Sequence, residues 1–369
     1  MTKNWYEVEN VDEIPSPTLL VYPDRIRENL RRMIALVGDA KRLRPHVKTH
    51  KMAQIVQMKI EHGINKFKAS TIAEVEMTAA AGGQDILLAY QPVGPNIARF
   101  IRLIKMFPAA KLSAIVDNLE SVREIGRMAT SEQVVVPLYI DLNVGMNRTG
   151  IAPGPAAMDV YREKCKTEGV RAAGFHAYDG HLHEPDLELL TRQTTNAFEP
   201  VWAMKEALEK EGHPVPNIIA GGTPTSRILA RHEGVEVGAG TTVLWDCGQP
   251  EISPDLDFQN AILLLARVIS KPTSNRLCLD VGHKAIASEM PQPRARWLGL
   301  EDATIVGHSE EHMVLQTEHS NEFHVGSVLY GIPRHVCPTV ALHSEVWIVE
   351  NANAKERWPV VARARTLTI

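Results

Sequence analysis

A chain of 369 residues exceeds what one hydrophobic core usually fills, so two domains are expected. With 44% apolar and 23% charged residues and a formal net charge of −4, the composition is ordinarily globular and offers no basic excess to nucleic acid. The acidic start MTKNWYEVENVDEIPSP has no apolar h-region, no apolar run approaches the roughly 18–20 residues of a membrane span, and the four cysteines form no CxxC pair, so a cytoplasmic protein without membrane partner or disulfide framework is expected.

From Thr18 to about Asp246, short β-branched runs alternate with helical stretches, the pattern of βα units around a parallel sheet. In chain order the strand candidates are TLLVY, RLRPHVK, INKFKAS, DILLAYQ, KLSAIVD, VVVPLYIDLN, AAGFHAYDG, NIIAGGT and VEVGAG. Helical stretches such as PDRIRENLRRMIALV, with Pro in its first turn, and NLESVREIGRMAT lie between them. That is one strand more than a barrel needs. TLLVY, beside the irregular terminus, is assigned to the edge of a second domain, which leaves eight strands for an α/β fold, a (β/α)8 TIM-type barrel within residues 18–247. Beyond Gly248 the runs AILLLARVIS, RLCLDVG, MVLQTE, HVGSVLYGI and EVWIVEN are broken by Pro, Asn, Ser and Gly. Residues 1–17 plus 248–369 are therefore predicted to form a mostly antiparallel β domain.

In such a barrel the reactive groups sit at the C-terminal ends of strands. The second run ends in RPHVKTHK, where Lys48 follows Val47. A lysine with a lowered pKa there can form a Schiff base, although taken alone a solvated loop lysine is the better reading. AGGTPTS, with Gly222 and Thr223, precedes a helix and suits an anion, and Gly238-Ala239-Gly240-Thr241 follows the next strand. Either is ordinary turn chemistry by itself. Two adjacent turns of this kind match the phosphate loops that close many barrels. Arg148, in DLNVGMNRTG, ends the sixth strand and can face a cofactor ring, a carboxylate or simply solvent. The seventh strand ends in HAYDGHLHE, which brings Tyr178, Asp179, His181 and His183 to one rim. Residues two apart on a strand share a face, so His335 and Cys337 can converge on a metal, although two ligands do not make a site. His308, His312, His319 and His324 have acidic neighbours and are expected to be mostly solvated.

Taken together, SPTLLVYPDRIREN, RPHVKTHK, NVGMNRTG, HAYDGH, AGGTPTS, LDVGHKA and HVCPTVALH, in this order over nearly the whole chain, resemble the D-threonine aldolase and D-serine dehydratase family. These are fold-type III pyridoxal-phosphate enzymes with an alanine racemase-like N-terminal barrel. The resemblance implies pyridoxal 5'-phosphate on Lys48, with Arg148 and Tyr178 against it and its phosphate held by Gly222, Thr223, Gly240 and Thr241. It also implies one divalent metal ion (Zn, Mn or Mg) on His335 and Cys337, beside the β-hydroxyl of a D-amino acid, with His181 or His183 exchanging the proton. A homodimer is expected on the same ground.

Cys337 looks like the dehydratases of the family, whose metal motif is His-x-Cys where the aldolases carry His-x-Asp. The YDGH loop and PTVALH tail look closer to the aldolases. The expected reaction is therefore cleavage of D-threonine to glycine and acetaldehyde, with D-serine or D-threo-3-hydroxyaspartate dehydration as the alternative. Cofactor carriers resemble the barrel alone and need no metal, and racemases need two opposed bases and no metal.

Overall fold

The computed structural model describes residues 4–369. By internal contacts it divides into one body of the residues up to Leu30, Thr49–Met52 and Thr241–Arg363, and another of Arg31–Lys48, Ala53–Gly240 and Ala364–Ile369. No helix among the described residues is long and apolar enough to cross a membrane.

The second of these bodies is the barrel. Its seven parallel strands are Lys66–Ala69, Asp85–Leu88, Lys111–Val116, Val136–Leu142, Val170–Ala177, Ile218–Ala220 and Val235–Val237, paired in chain order. Their near-continuous apolar runs reflect burial on both faces: every residue of Val136–Leu142 is buried. The predicted strand RLRPHVK is not a regular strand, because Pro45 has no N–H to give to a ladder. Isolated parallel bridges hold it instead, Leu43 to Val237 and His46 to Lys68. Arg44 N donates to Val237 O at 2.9 Å, and Lys68 N donates to Pro45 O at 3.1 Å. This seam closes the barrel.

Arg44 fastens the seam from inside. Its guanidinium is fully buried, with Nε 2.6 Å from Glu236 Oε2 and Nη1 2.8 Å from Asp85 Oδ1, and Lys66 pairs with the same Glu236. Leu87, Ile115, Tyr139, Ala173 and Ile219, from neighbouring strands, form one apolar layer, as barrel interiors require. Helix Pro23–Val37 opens on its proline as predicted, and helix Leu119–Ser131 is capped by Asn118, whose side chain accepts from Ser121 N at 2.8 Å.

The other body is built on a nine-stranded sheet. Strand Ile262–Thr273 pairs antiparallel with Thr18–Val21, Arg276–Leu279 and Val328–Pro333. Thr18–Val21 is not an edge, as the sequence suggested. It lies between Ile262–Thr273 and Glu345–Glu350, the latter pairing being parallel, which explains why TLLV is buried throughout. Leu20, Tyr22, Leu263, Leu265, Ile332 and Val349 form the core on one face of this sheet. Strands Ala295–Trp297, Thr304–His308 and Asn353–Pro359 escaped the sequence pattern because they are short or mostly solvated.

Candidate active site

The barrel mouth gathers around Tyr178, which directly follows strand Val170–Ala177. Lys48 lies in the 3-10 turn Val47–Thr49 just after the seam, and its Nζ is 5.8 Å from the Tyr178 ring centroid. Arg148 is further from its strand than the sequence suggested, in the loop after Val136–Leu142, yet its Cζ is 5.0 Å from the same centroid. That loop is fixed by Asn143 Oδ1, which accepts from Gly145 N at 3.1 Å and Asn147 N at 3.0 Å. A third cation, Lys68, places Nζ 5.5 Å from the ring.

The two small-residue turns adjoin this ring. Gly222 N donates to Asp179 Oδ1 at 2.9 Å, and a Cβ on Gly222 would stand 3.4 Å from Tyr178 Cε2. Thr223 is buried beside it, but the helix that follows, Ser226–Leu229, is a single turn and puts little dipole behind the predicted anion site. Gly238 N donates to Ala220 O at 3.0 Å, and a Cβ on Gly238 would fall 2.5 Å from Lys68 Nζ and 2.9 Å from Gly221 O. Gly240 is buried and ends the long stretch of the barrel body, whereas Thr241 opens the 3-10 turn Thr241–Val243 of the other body.

Further groups line the same mouth: Asp179, noted with its loop in the sequence, and His46, Lys68, Asp141, Thr149 and His176, which were not singled out. His176 Nδ1 is 2.7 Å from Asp141 Oδ1, and Thr149 Oγ1 donates to Asp141 Oδ2 at 2.9 Å. Burial lowers the His176 pKa, whereas the upward push of burial on Asp141 is outweighed by His176, Thr149 and Arg148 together, which hold it below the usual carboxylate value. His46 accepts from Lys48 N at 3.3 Å, and burial, then Lys48 and Lys68, holds its pKa well below the usual imidazole value. Burial, then Lys48, brings Lys68 down to about 7, and burial brings Asp179 up to about 6. Polar residues inside otherwise apolar runs were the available signal.

The two imidazoles of the YDGHLH loop are placed differently. His181 is half-buried, its Nδ1 has no hydrogen-bond partner, and its Nε2 lies 2.8 Å from where a Cβ on Gly145 would stand. Burial, then His183, lowers its pKa. His183 is exposed.

His335 and Cys337 do not lie on a strand. His335 is the N-cap and Cys337 a first-turn residue of helix Val336–Leu342, so their approach comes from the cap geometry rather than from pleating. Burial would lower the His335 pKa, but hydrogen bonding to Cys337, the nearby sulfur and Glu289 together raise it to about 9. Nδ1 of His335 is 2.5 Å from Glu289 Oε1, and Cys337 Sγ donates to Thr49 Oγ1 at 3.3 Å. Among the described residues no three His, Cys, Asp or Glu side chains converge on one point. The imidazole and thiol in contact fit two positions of a zinc-class ion. Of the other histidines noted, His312, His319 and His324 are exposed, whereas His308 is half-buried and stacks on His283 at 4.7 Å.

A primary amine beside an aromatic plate, cations around that plate and a side-chain-free turn at its edge fit a planar, anionic, carbonyl-bearing group. Asp179 Oδ2 and His176 Nε2, buried without a partner, fit its polar edge. The residues present thus suit pyridoxal phosphate, and the fold is that of the pyridoxal-phosphate barrels. The family model "Alanine racemase, N-terminal domain" matches residues 21–243, and "Putative serine dehydratase domain" matches residues 261–349. The chain belongs to the alanine racemase N-terminal-domain family, and its C-terminal part matches the putative serine dehydratase domain.

Among its relatives, a D-threonine aldolase of Arthrobacter sp. is 27% identical over 356 residues, 95% of this chain and 93% of that one. A D-threo-3-hydroxyaspartate dehydratase of Delftia sp. is 25% identical over 353 residues, 89% of this chain and 92% of that one. The solved D-threonine aldolase of Filomicrobium marinum superposes with a TM-score of 0.88 at 23% identity, over 95% of this chain and 96% of that one, a likeness of fold.

Proposed function

We propose that this chain is a pyridoxal-phosphate and divalent-metal-dependent lyase of D-3-hydroxy amino acids, and that it cleaves D-threonine to glycine and acetaldehyde. The observation that carries the choice of reaction is His181. A half-buried imidazole with an uncommitted Nδ1, set against the Arg148 loop, suits a base for a substrate hydroxyl, which aldol cleavage needs and dehydration does not.

When bound, pyridoxal phosphate supplies an electron sink for the pair released at the substrate Cα. Lys48 would provide the amine that holds the cofactor's carbonyl carbon. Tyr178 backs the cofactor as a flat plate, and Arg148 offers a cation to the substrate carboxylate or the ring. Gly222, Thr223, Gly240 and Thr241 offer backbone and hydroxyl donors to the phosphate. His335 and Cys337 would hold the metal ion, which when bound polarises the β-hydroxyl. His181 then takes the hydroxyl proton as the Cα–Cβ bond breaks.

Dehydration is the second reading, and Cys337 favours it. A thiolate donates more strongly than a carboxylate and tunes the ion differently. Mass spectrometry of products from D-threonine, D-serine and D-threo-3-hydroxyaspartate tests the choice. Glycine and acetaldehyde from D-threonine are expected. Release of 2-oxobutanoate from D-threonine, or pyruvate from D-serine, without glycine would overturn the aldolase reading. We also take the working form to be a homodimer, for which light scattering should give twice the chain mass of 40.9 kDa.

A further inference from the structure

The barrel mouth holds a second lysine for which this reading has no task. Lys68 faces inward from strand Lys66–Ala69 and is 3% exposed. Its Nζ is 5.5 Å from the Tyr178 centroid, as near as Lys48 Nζ at 5.8 Å. The amine occupies the room left by Gly238, where a Cβ would fall 2.5 Å away. Two residues earlier on the same strand, Lys66 is paired with Glu236, but the Lys68 amine forms no ion pair or hydrogen bond among the described residues. Burying an unpaired ammonium is unfavourable, and such placements gather at functional sites. A planar group held by Lys48 beside Tyr178 would have this second amine as a neighbour.

We propose that Lys68 is a positioning residue of the barrel mouth, whose amine faces the edge of the aromatic ring carried on Lys48 and sets that ring's charge. The inference rests on the cofactor reading given above and adds to it a residue that the expected Schiff base leaves unused. An amine brought to about 7 by burial, and next by Lys48, changes charge within the neutral range. The groups facing it are Lys48 and His46 from the seam, Asp141 and Arg148 from one strand and its loop, His176, Tyr178 and Asp179 from the next, and Arg44 from within the barrel. His46 and His176 are held below the usual imidazole value and stay neutral near pH 7, and Asp179 titrates lower, at about 6. Lys68 is left as the group that switches there.

Two measurements test this. In the first, the visible absorbance of the holoprotein is followed across neutral pH for the wild type, Lys68→Met and Lys68→Arg, with Lys68→Gln replacing the Met variant if that one fails to fold. A transition near pH 7 is expected in the wild type and in neither variant, because Met carries no charge and Arg never loses it. In the second, binding of pyridoxal phosphate and of pyridoxal is measured by calorimetry to Lys48→Ala protein with and without Lys68→Met. Roughly tenfold weaker binding of both ligands is expected on loss of the amine, the scale of one hydrogen bond to a charged group. Persistence of the transition in Lys68→Met, or weakening confined to pyridoxal phosphate, overturns the inference alone. Failure of the wild-type protein to bind pyridoxal phosphate overturns the cofactor reading, and the inference with it.

Discussion

His176 Nδ1 and Asp141 Oδ1 stand 2.7 Å apart on neighbouring parallel strands, directly opposite in register, and this pairing leaves His176 Nε2 buried without a partner. Asp141 therefore fixes which imidazole nitrogen faces the mouth.

The pair should leave its mark on acid stability. With its folded pKa depressed, His176 takes up a proton less readily folded than unfolded, so stability falls as pH drops below the ordinary imidazole value of 6.5. Asp141, also depressed, contributes stability above its ordinary value of 3.8 and loses it only as pH falls further, through its folded value. The share of His176 in the slope of urea unfolding between neutral pH and pH 5 is at most about 1.4 kcal/mol per pH unit, one proton's worth. His176→Asn should flatten that slope, and equal slopes in the two proteins would remove the imidazole from the account.

Arg44→Leu should destabilise the protein by about 3–5 kcal/mol, because it strands Asp85 and Glu236 inside the barrel. The lower end is expected, since Lys66 still pairs with Glu236. Denaturant unfolding monitored by circular dichroism measures this, and a loss under about 1 kcal/mol would mean the seam does not depend on the guanidinium.

The contrast in exposure between His181 and His183 gives a paired expectation. His181→Asn should reduce D-threonine cleavage by about 10²–10⁴-fold and leave the visible absorbance in place, the usual scale for a lost general base. His183→Asn should change turnover by no more than a few-fold. Equal losses from the two variants would assign the proton transfer elsewhere.

Borohydride reduction of the holoprotein followed by peptide mapping should tag Lys48, and Lys48→Ala should lose the visible band. A tag on Lys68 instead would exchange the roles of the two amines.

Glu289 receives His335 at 2.5 Å, so Glu289→Gln should weaken zinc binding by about 10–100-fold while the cofactor absorbance is unchanged. Cys337→Ala should release the ion altogether. Metal analysis after dialysis checks both, and full retention in Cys337→Ala would make the thiol structural.

Much of this could be read in the chain because apolar runs and caps are local. The seven barrel strands appeared in the sequence within a few residues of their observed limits, as did helix Pro23–Val37. Pro45 hid the seam, because a segment fastened by isolated bridges has no strand period to display. Lys48, Arg148 and Tyr178 lie in short motifs and were legible. Lys68 was not, since a lysine beside the apolar Phe67 in a strand reads as an outward, solvated residue, whereas here it is buried. His335 and Cys337 were found by spacing but given the wrong backbone, because a proline in the first helical turn also reads as a strand breaker.

The seam also orders events in time. Arg44 N is bonded to Val237 and its guanidinium to Glu236, 192 residues later in the chain. At roughly 5–20 residues per second of synthesis, the segment waits about 10–40 s for the strand it must join. The first barrel segment made can thus join Lys68 early, but its other side is fastened only when Val237 and Glu236 have been made.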